Sequence, residues 1–221
     1  MGSTKTAKAC IKGAVKHVVE TLKAIDRGDH VSTDFMSRAD VNDFCRAIGF
    51  KEKRLWGNLL DKEIANEGDA PSVVPKDEAE TILNLLKAEI DNGTFTPDIS
   101  DENGKLKSFD KTVLNDFLPK DKGGLGYIWE YQFGLKVELE HGRTLGANVT
   151  NNHPLLTGII VMAHLVETTL YYARLWVMEV EGEIFNGKLK GDDTTDLEAE
   201  LAKAKEYLAA REAEKVATKG A

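Results

Sequence analysis

Residues 127–141 read Y-I-W-E-Y-Q-F-G-L-K-V-E-L-E-H, residues 142–152 read G-R-T-L-G-A-N-V-T-N-N, and residues 153–179 read H-P-L-L-T-G-I-I-V-M-A-H-L-V-E-T-T-L-Y-Y-A-R-L-W-V-M-E. The stretch from Tyr127 to Glu183 is the most apolar and aromatic part of the chain, and it holds three of the five histidines. Its periodicity predicts two helices joined by one polar loop. At 100° per residue, Tyr127, Tyr131, Gly134, Glu138 and His141 fall on one stripe of the first helix. Gly142 is a natural stop after His141. Pro154 suits the first position of the second helix, with Asn152 or His153 as its cap. That helix is expected to run unbroken through Val180, apolar nearly all round, as helices buried in a core or between partners are. His164, Glu167, Arg174 and Glu179 interrupt it, so no membrane span is expected.

Glu138 with His141, and His164 with Glu167, present two carboxylates and two imidazoles at helical spacing. These are ligand types for zinc, iron or manganese. A di-iron bundle needs two Glu-x-x-His pairs and two further glutamates; here one such pair stands and the other runs in reverse, so at most a mononuclear site is indicated. His164 lies ten residues into its helix, about 15 Å from the start, whereas His141 ends its own. The alternative reading is a buried hydrogen-bond network that pins the loop at 142–152, and it is the preferred one.

The strings G-L-K-V-E-L-E-H-G, N-V-T-N, A-H-L-V-E and Y-Y, in this order, resemble the signature of a small domain family of unknown function found in bacterial, phage and giant-virus proteins. The resemblance covers about Tyr131 to Met178, with 39–50 as an upstream helix. It implies that Glu138, Glu140, His141, Gly142, Asn148, Thr150, Asn151, His164 and Glu167 form the distinctive cluster of the family. It brings no reaction with it.

At 221 residues, with 42% hydrophobic and 30% charged residues, the composition is that of a soluble globular chain able to bury a core. A net charge of -8 argues against a nucleic-acid partner. Cys10 and Cys45 are too few for a disulfide framework and read as core. No secretory signal follows the start, so a cytoplasmic or virion setting is expected. The start Met1-Gly2-Ser3-Thr4 fits the loose N-myristoylation pattern at Gly2, which is also a common cloning start.

The N-terminal region alternates helical stripes with short extended pieces at Val31 and Val73, the rhythm of an EF-hand pair. The calcium ligands are missing from 26–31 and 66–71, so a degenerate EF-hand-like pair and a plain four-helix arrangement both remain open. Pro75 opens a helix through Asp91. The string from Asp101 to Asp110 matches several positions of a calcium loop but lacks the first ligand; a turn-rich hairpin explains the same residues. Segments 92–108 and 119–126 read as linkers, with Gly123 and Gly124 suggesting mobility. Residues 184–191 read as a turn. Thr195-Asp196-Leu197-Glu198 is a capping box, opening a helix whose narrow stripe of Leu197, Leu201, Ala204 and Leu208 is enough to dock but too weak for a sustained coiled coil.

These observations give a mainly α fold in four parts: a helical region at 1–92, a linker with a short helix at 93–126, a helical hairpin at 127–185, and a turn with an amphipathic helix at 186–221. No Gly-x-Ser-x-Gly elbow, Cys-x-x-Cys pair, His-Glu-x-x-His or Gly-x-Gly-x-x-Gly is present. A non-catalytic structural or interaction protein is therefore expected, with Trp129, Phe133, Tyr172 and Trp176 as its interface and no cofactor. The resemblance adds a virion component as the setting. The alternatives are a metal-binding protein using Glu138, His141, His164 and Glu167, and a calcium-responsive EF-hand-like module.

Overall fold

A computed structural model describes residues 41, 44–46, 48–50, 74–91, 98–100, 106–108, 113–118, 120, 124–141, 150 and 152–219. Residues 1–40 and 51–73 of the expected N-terminal helical region, with the EF-hand-like loops at 26–31 and 66–71, Gly2 and Cys10, lie outside these residues. The described chain is mainly α. It divides into two compact units, Met1–Ala163 and His164–Ala221.

In the first unit, Val41 and residues 44–46 are helical, and the turn closes at Gly49 with φ +92°. The Phe50 N–H reaches the Cys45 carbonyl and the Gly49 N–H reaches that of Arg46, the paired bonds of a Schellman cap. Helix α1 (Lys76–Asp91) starts after Pro75, whose carbonyl accepts from Glu78 and Ala79. Asp77 and Glu78 sit in its first turn, where the helix dipole favours acids. Ala79, Ile82, Leu83 and Leu86 are its buried face. Strands β1 (Asp98–Ser100) and β2 (Leu106–Ser108) pair antiparallel with Ser100 opposite Leu106. Residues 106–108 of the string that resembles a calcium loop thus form one strand of a pair, as in the hairpin alternative.

The short helix α2 (Val113–Phe117) is followed by a segment tied back onto it. The Gly126 N–H bonds the Leu118 carbonyl, and the Tyr127 N–H bonds that of Asp116. A Cβ on Gly124 would fall within 2.5 Å of backbone atoms of Leu118 and Asn115. The close approach of the backbone therefore requires a glycine at this position. Helix α3 (Ile128–His141) is buried along most of its length. Gln132 grips the strand of chain before α1: its side-chain amide donates to the Val74 carbonyl at 2.8 Å, while its own carbonyl accepts the Val74 N–H.

Helix α4 (Pro154–Glu167) begins where Pro154 predicts. It does not continue as expected. The chain leaves the helix at Thr168 and re-enters it as α5 (Tyr171–Lys190). The Thr168 hydroxyl accepts the Leu170 N–H, and the Thr168 carbonyl accepts that of Tyr171. The hydroxyl offers the backbone a local partner in place of the helical ladder, which is how Thr disfavours helix interiors. Apolar periodicity runs straight through these residues and carries no trace of the break. No single helix among the described residues is long and apolar enough to cross a membrane.

The second unit is an antiparallel pair, α5 with α6 (Thr195–Lys219). The turn expected at 184–191 is helical as far as Lys190. A helical glycine weakens a helix by about 1 kcal/mol without ending it, and here Gly187 admits the Thr194 methyl, 2.9 Å from where its Cβ would be. The stop comes at Gly191, at φ +78°, again with Schellman bonds from Gly191 to Lys188 and from Asp192 to Gly187. The capping residue of α6 is Thr194, one position earlier than the sequence pattern suggests: its carbonyl accepts the Glu198 N–H, and its hydroxyl meets the Glu198 carboxylate at 3.2 Å. Asp193 accepts from the Thr195 N–H and hydroxyl.

The seam between α5 and α6 is longer than the sequence stripe suggested. On α5 it uses Ala173, Val177, Val180, Ile184 and Gly187. On α6 it uses Thr194, Leu197, Leu201, Ala204, Leu208 and Arg211, all buried or half-buried. Both runs alternate steps of four and three, the spacing of a coiled-coil seam. Polar ends at Thr194 and Arg211 hid its full extent. Lys188–Glu198, Glu181–Lys205 and Arg174–Glu212 ion pairs flank it.

Candidate functional site

The first unit holds a group of buried polar residues at the start of α4. His153 is its capping residue: the ring Nδ1 accepts the Leu155 N–H at 3.2 Å, and the carbonyl accepts that of Thr157. Phe44 covers the ring at 4.5 Å between centroids. Burial lowers its pKa from 6.5 to about 3, so the imidazole is neutral, with its proton on Nε2. Because Nδ1 already takes up a backbone N–H, the ring cannot serve as a base through that atom. Asn152, just before it, takes φ +58° and donates its N–H to the Thr150 hydroxyl. Tyr131 on α3 is fully buried, and its hydroxyl lies 2.5 Å from where a Cβ on Gly158 would be. Burial raises its pKa, so it stays a neutral phenol. These groups pack α4 against its neighbours, and burial keeps the imidazole and the phenol in their neutral forms at neutral pH. Burial likewise pushes the Cys45 thiol up to about 12, which leaves it an inert core residue.

The four candidate ligands are placed as follows. Glu138 is buried on α3, and His141 is exposed at the end of that helix. His164 stacks on Tyr171 at 4.3 Å with Tyr172 edge-on at 6.1 Å, so its ring bridges the break between α4 and α5. Glu167 is exposed in the last turn of α4. Among the described residues, no group of three or more His, Cys, Asp or Glu side chains could hold a metal ion. Of the cluster implied by resemblance, Thr150 is buried and Glu140 exposed, while Gly142, Asn148 and Asn151 lie outside the described residues.

The four aromatic interface candidates are occupied differently from one another. Trp129 and Phe133 stack on each other, one helical turn apart, at 5.3 Å and 4°. Phe133 and Tyr172 are buried. Trp176 donates its indole N–H to Glu200 at 2.9 Å and meets Tyr207 edge-on, so it serves the α5–α6 pair.

A different surface stands open. Met178, Phe185 and Leu189 are 62%, 64% and 72% exposed. With half-buried Tyr171 and Leu175 and exposed Gly182 they make a stripe at 171, 175, 178, 182, 185 and 189. This again alternates steps of four and three. At 100° per residue it lies on the side of α5 away from the α6 seam. Helix α5 therefore has two apolar faces, of which α6 covers one. Two of the three most exposed members, Phe185 and Leu189, fall in the segment that reads as a turn from sequence. The signal that could have found them is the unbroken four-three spacing, had the helix been extended to Gly191.

Residues 79–181 match a family described as a protein of unknown function, DUF5661. No curated protein and no solved structure matches the chain. The family match spans α1 to the first half of α5 and ends before Phe185 and Leu189.

Proposed function

We propose that this protein is a non-catalytic structural or interaction protein that binds through the outward face of α5. The observation that carries the reading is the exposure of Met178, Phe185 and Leu189 on a helix whose opposite face is sealed by α6. Large apolar side chains grouped on one face mark interaction sites far more often than single scattered ones do, and Phe and Met are favoured in interface cores. The buried titratable groups of the first unit support the same reading, since His153, Tyr131 and Cys45 are held in their neutral forms. A larger assembly of repeated subunits, such as the virion that the sequence resemblance implies, is the setting we propose for that face.

The test is a photo-reactive phenylalanine analogue at position 185 in cells making the full chain, with the same analogue at the exposed Lys203 on α6 as control. The reading expects an adduct of one discrete mass from position 185, absent from position 203 and abolished by Met178→Glu. Equal, diffuse labelling from both positions would overturn it.

A further inference from the structure

We infer that the occupant of this face is the same face of a second copy, packed antiparallel; the inference rests on the interaction reading just given. Three features of α5 converge on it. The stripe from Tyr171 to Leu189 runs the whole helix, about 27 Å at 1.5 Å per residue, and two copies can cover each other from Met178 to Leu189. Its fourth residue is Gly182, where a Cβ would meet nothing within 4 Å. Its neighbour in the stripe is Phe185, the largest exposed apolar side chain of the helix.

In an antiparallel pair centred between Glu183 and Ile184, Phe185 of each copy lies over Gly182 of the other. Met178 then lies opposite Leu189 of the second copy. A large side chain thus meets a glycine twice, as the two-fold symmetry of an isologous contact demands. The third feature is charge. Glu179 and Glu181 flank the stripe before the centre of the pair and Lys188 and Lys190 after it, with Glu183 beside the centre. Reversing one copy sets Glu179 and Glu181 of each chain against Lys188 and Lys190 of the other. A parallel pair would set like charges together, which is disfavoured. Lys188 and Glu181 already pair with Glu198 and Lys205 of α6, so the added charge contacts extend existing networks at their half-exposed side chains.

The experiment is sedimentation equilibrium of the full chain, with far-UV circular dichroism and thermal unfolding at the lowest concentration. The expected result is twice the chain mass for the native protein. Phe185→Glu should give the single-chain mass with unchanged helicity. Gly182→Leu, which favours the helix itself, should raise thermal stability at low concentration yet weaken the dimer at least tenfold, a combination that a purely structural role of Gly182 would not produce. Glu179→Lys should weaken the dimer, and adding Lys190→Glu should restore it. A native chain of single mass throughout, with Phe185→Glu as stable as the native chain, overturns self-pairing and leaves the interaction reading standing. A Phe185→Glu chain that unfolds at low concentration shows that Phe185 packs within its own chain and overturns both.

Discussion

Replacing His153 tests how the first unit is held together, because one side chain both caps α4 and fills the core. Burial lowers its pKa from 6.5 to about 3. The unfolded chain binds a proton near 6.5, and the folded chain resists it until about pH 3. Between these values the unfolded state carries more protons, so stability rises with pH. The contribution is fully present above the unfolded value and is lost as pH falls through the window. From pH 7 to pH 5 the loss from this residue is about 2 kcal/mol, and across the whole window about 5 kcal/mol. Protonation also removes the Nδ1 lone pair that receives the Leu155 N–H, so the cap fails with the burial. His153→Asn keeps a capping side chain and removes the titration. It should be less stable at pH 7, by about 1–3 kcal/mol for the lost packing, but its drop between pH 7 and pH 5 should be smaller than that of the native chain by about 2 kcal/mol. Urea unfolding of both proteins at pH 7, 6 and 5 measures this, since carboxylates contribute equally to each. Equal drops would refute the assignment of His153 as a buried neutral cap.

Adjacent residues on opposite faces of α5 should respond differently: Ile184→Ala should destabilise by about 2–4 kcal/mol as a buried truncation, and Phe185→Ala by less than about 0.5 kcal/mol in the dilute chain, both read from urea midpoints. Gly191→Ala forces an L side chain into a left-handed cap, and denaturation should show a loss of about 1–2 kcal/mol. Metal analysis by mass spectrometry tests the Glu138, His141, His164 and Glu167 alternative; we expect substoichiometric metal, and stoichiometric zinc, iron or manganese that disappears in His164→Ala would reverse that expectation.

Much of the architecture is legible in the chain, because the signals are local. Pro75 and Pro154 mark helix starts, Gly49 marks a stop, and the spacing of Ile82, Leu83 and Leu86 gives the buried face of α1. What escapes is decided by competition that periodicity does not record. The break after Glu167 rests on one Thr hydroxyl capturing a backbone N–H. The extension of α5 through Gly187 rests on a methyl group packed against a glycine. The candidate surface was missed for a related reason. Trp176 and Tyr172 draw attention by their size, but an aromatic residue is as useful in a seam as on a face. Only the position of α6 decides which of the two stripes of α5 is covered. The left-over stripe is less aromatic, and half of it lay beyond the expected end of the helix.

The central claim is that the face carrying Met178 is open in the single chain and becomes covered on association. Methionine supplies its own probe, since Met178 lies on that face and Met162 is buried in α4. The measurement is the rate of sulfoxide formation at each residue under dilute peroxide, read by peptide mass spectrometry across a range of chain concentrations. The account predicts fast oxidation of Met178 in the dilute chain, slowing as concentration rises, with Met162 slow throughout. Oxidation of Met178 as slow as that of Met162 in the dilute chain would contradict it.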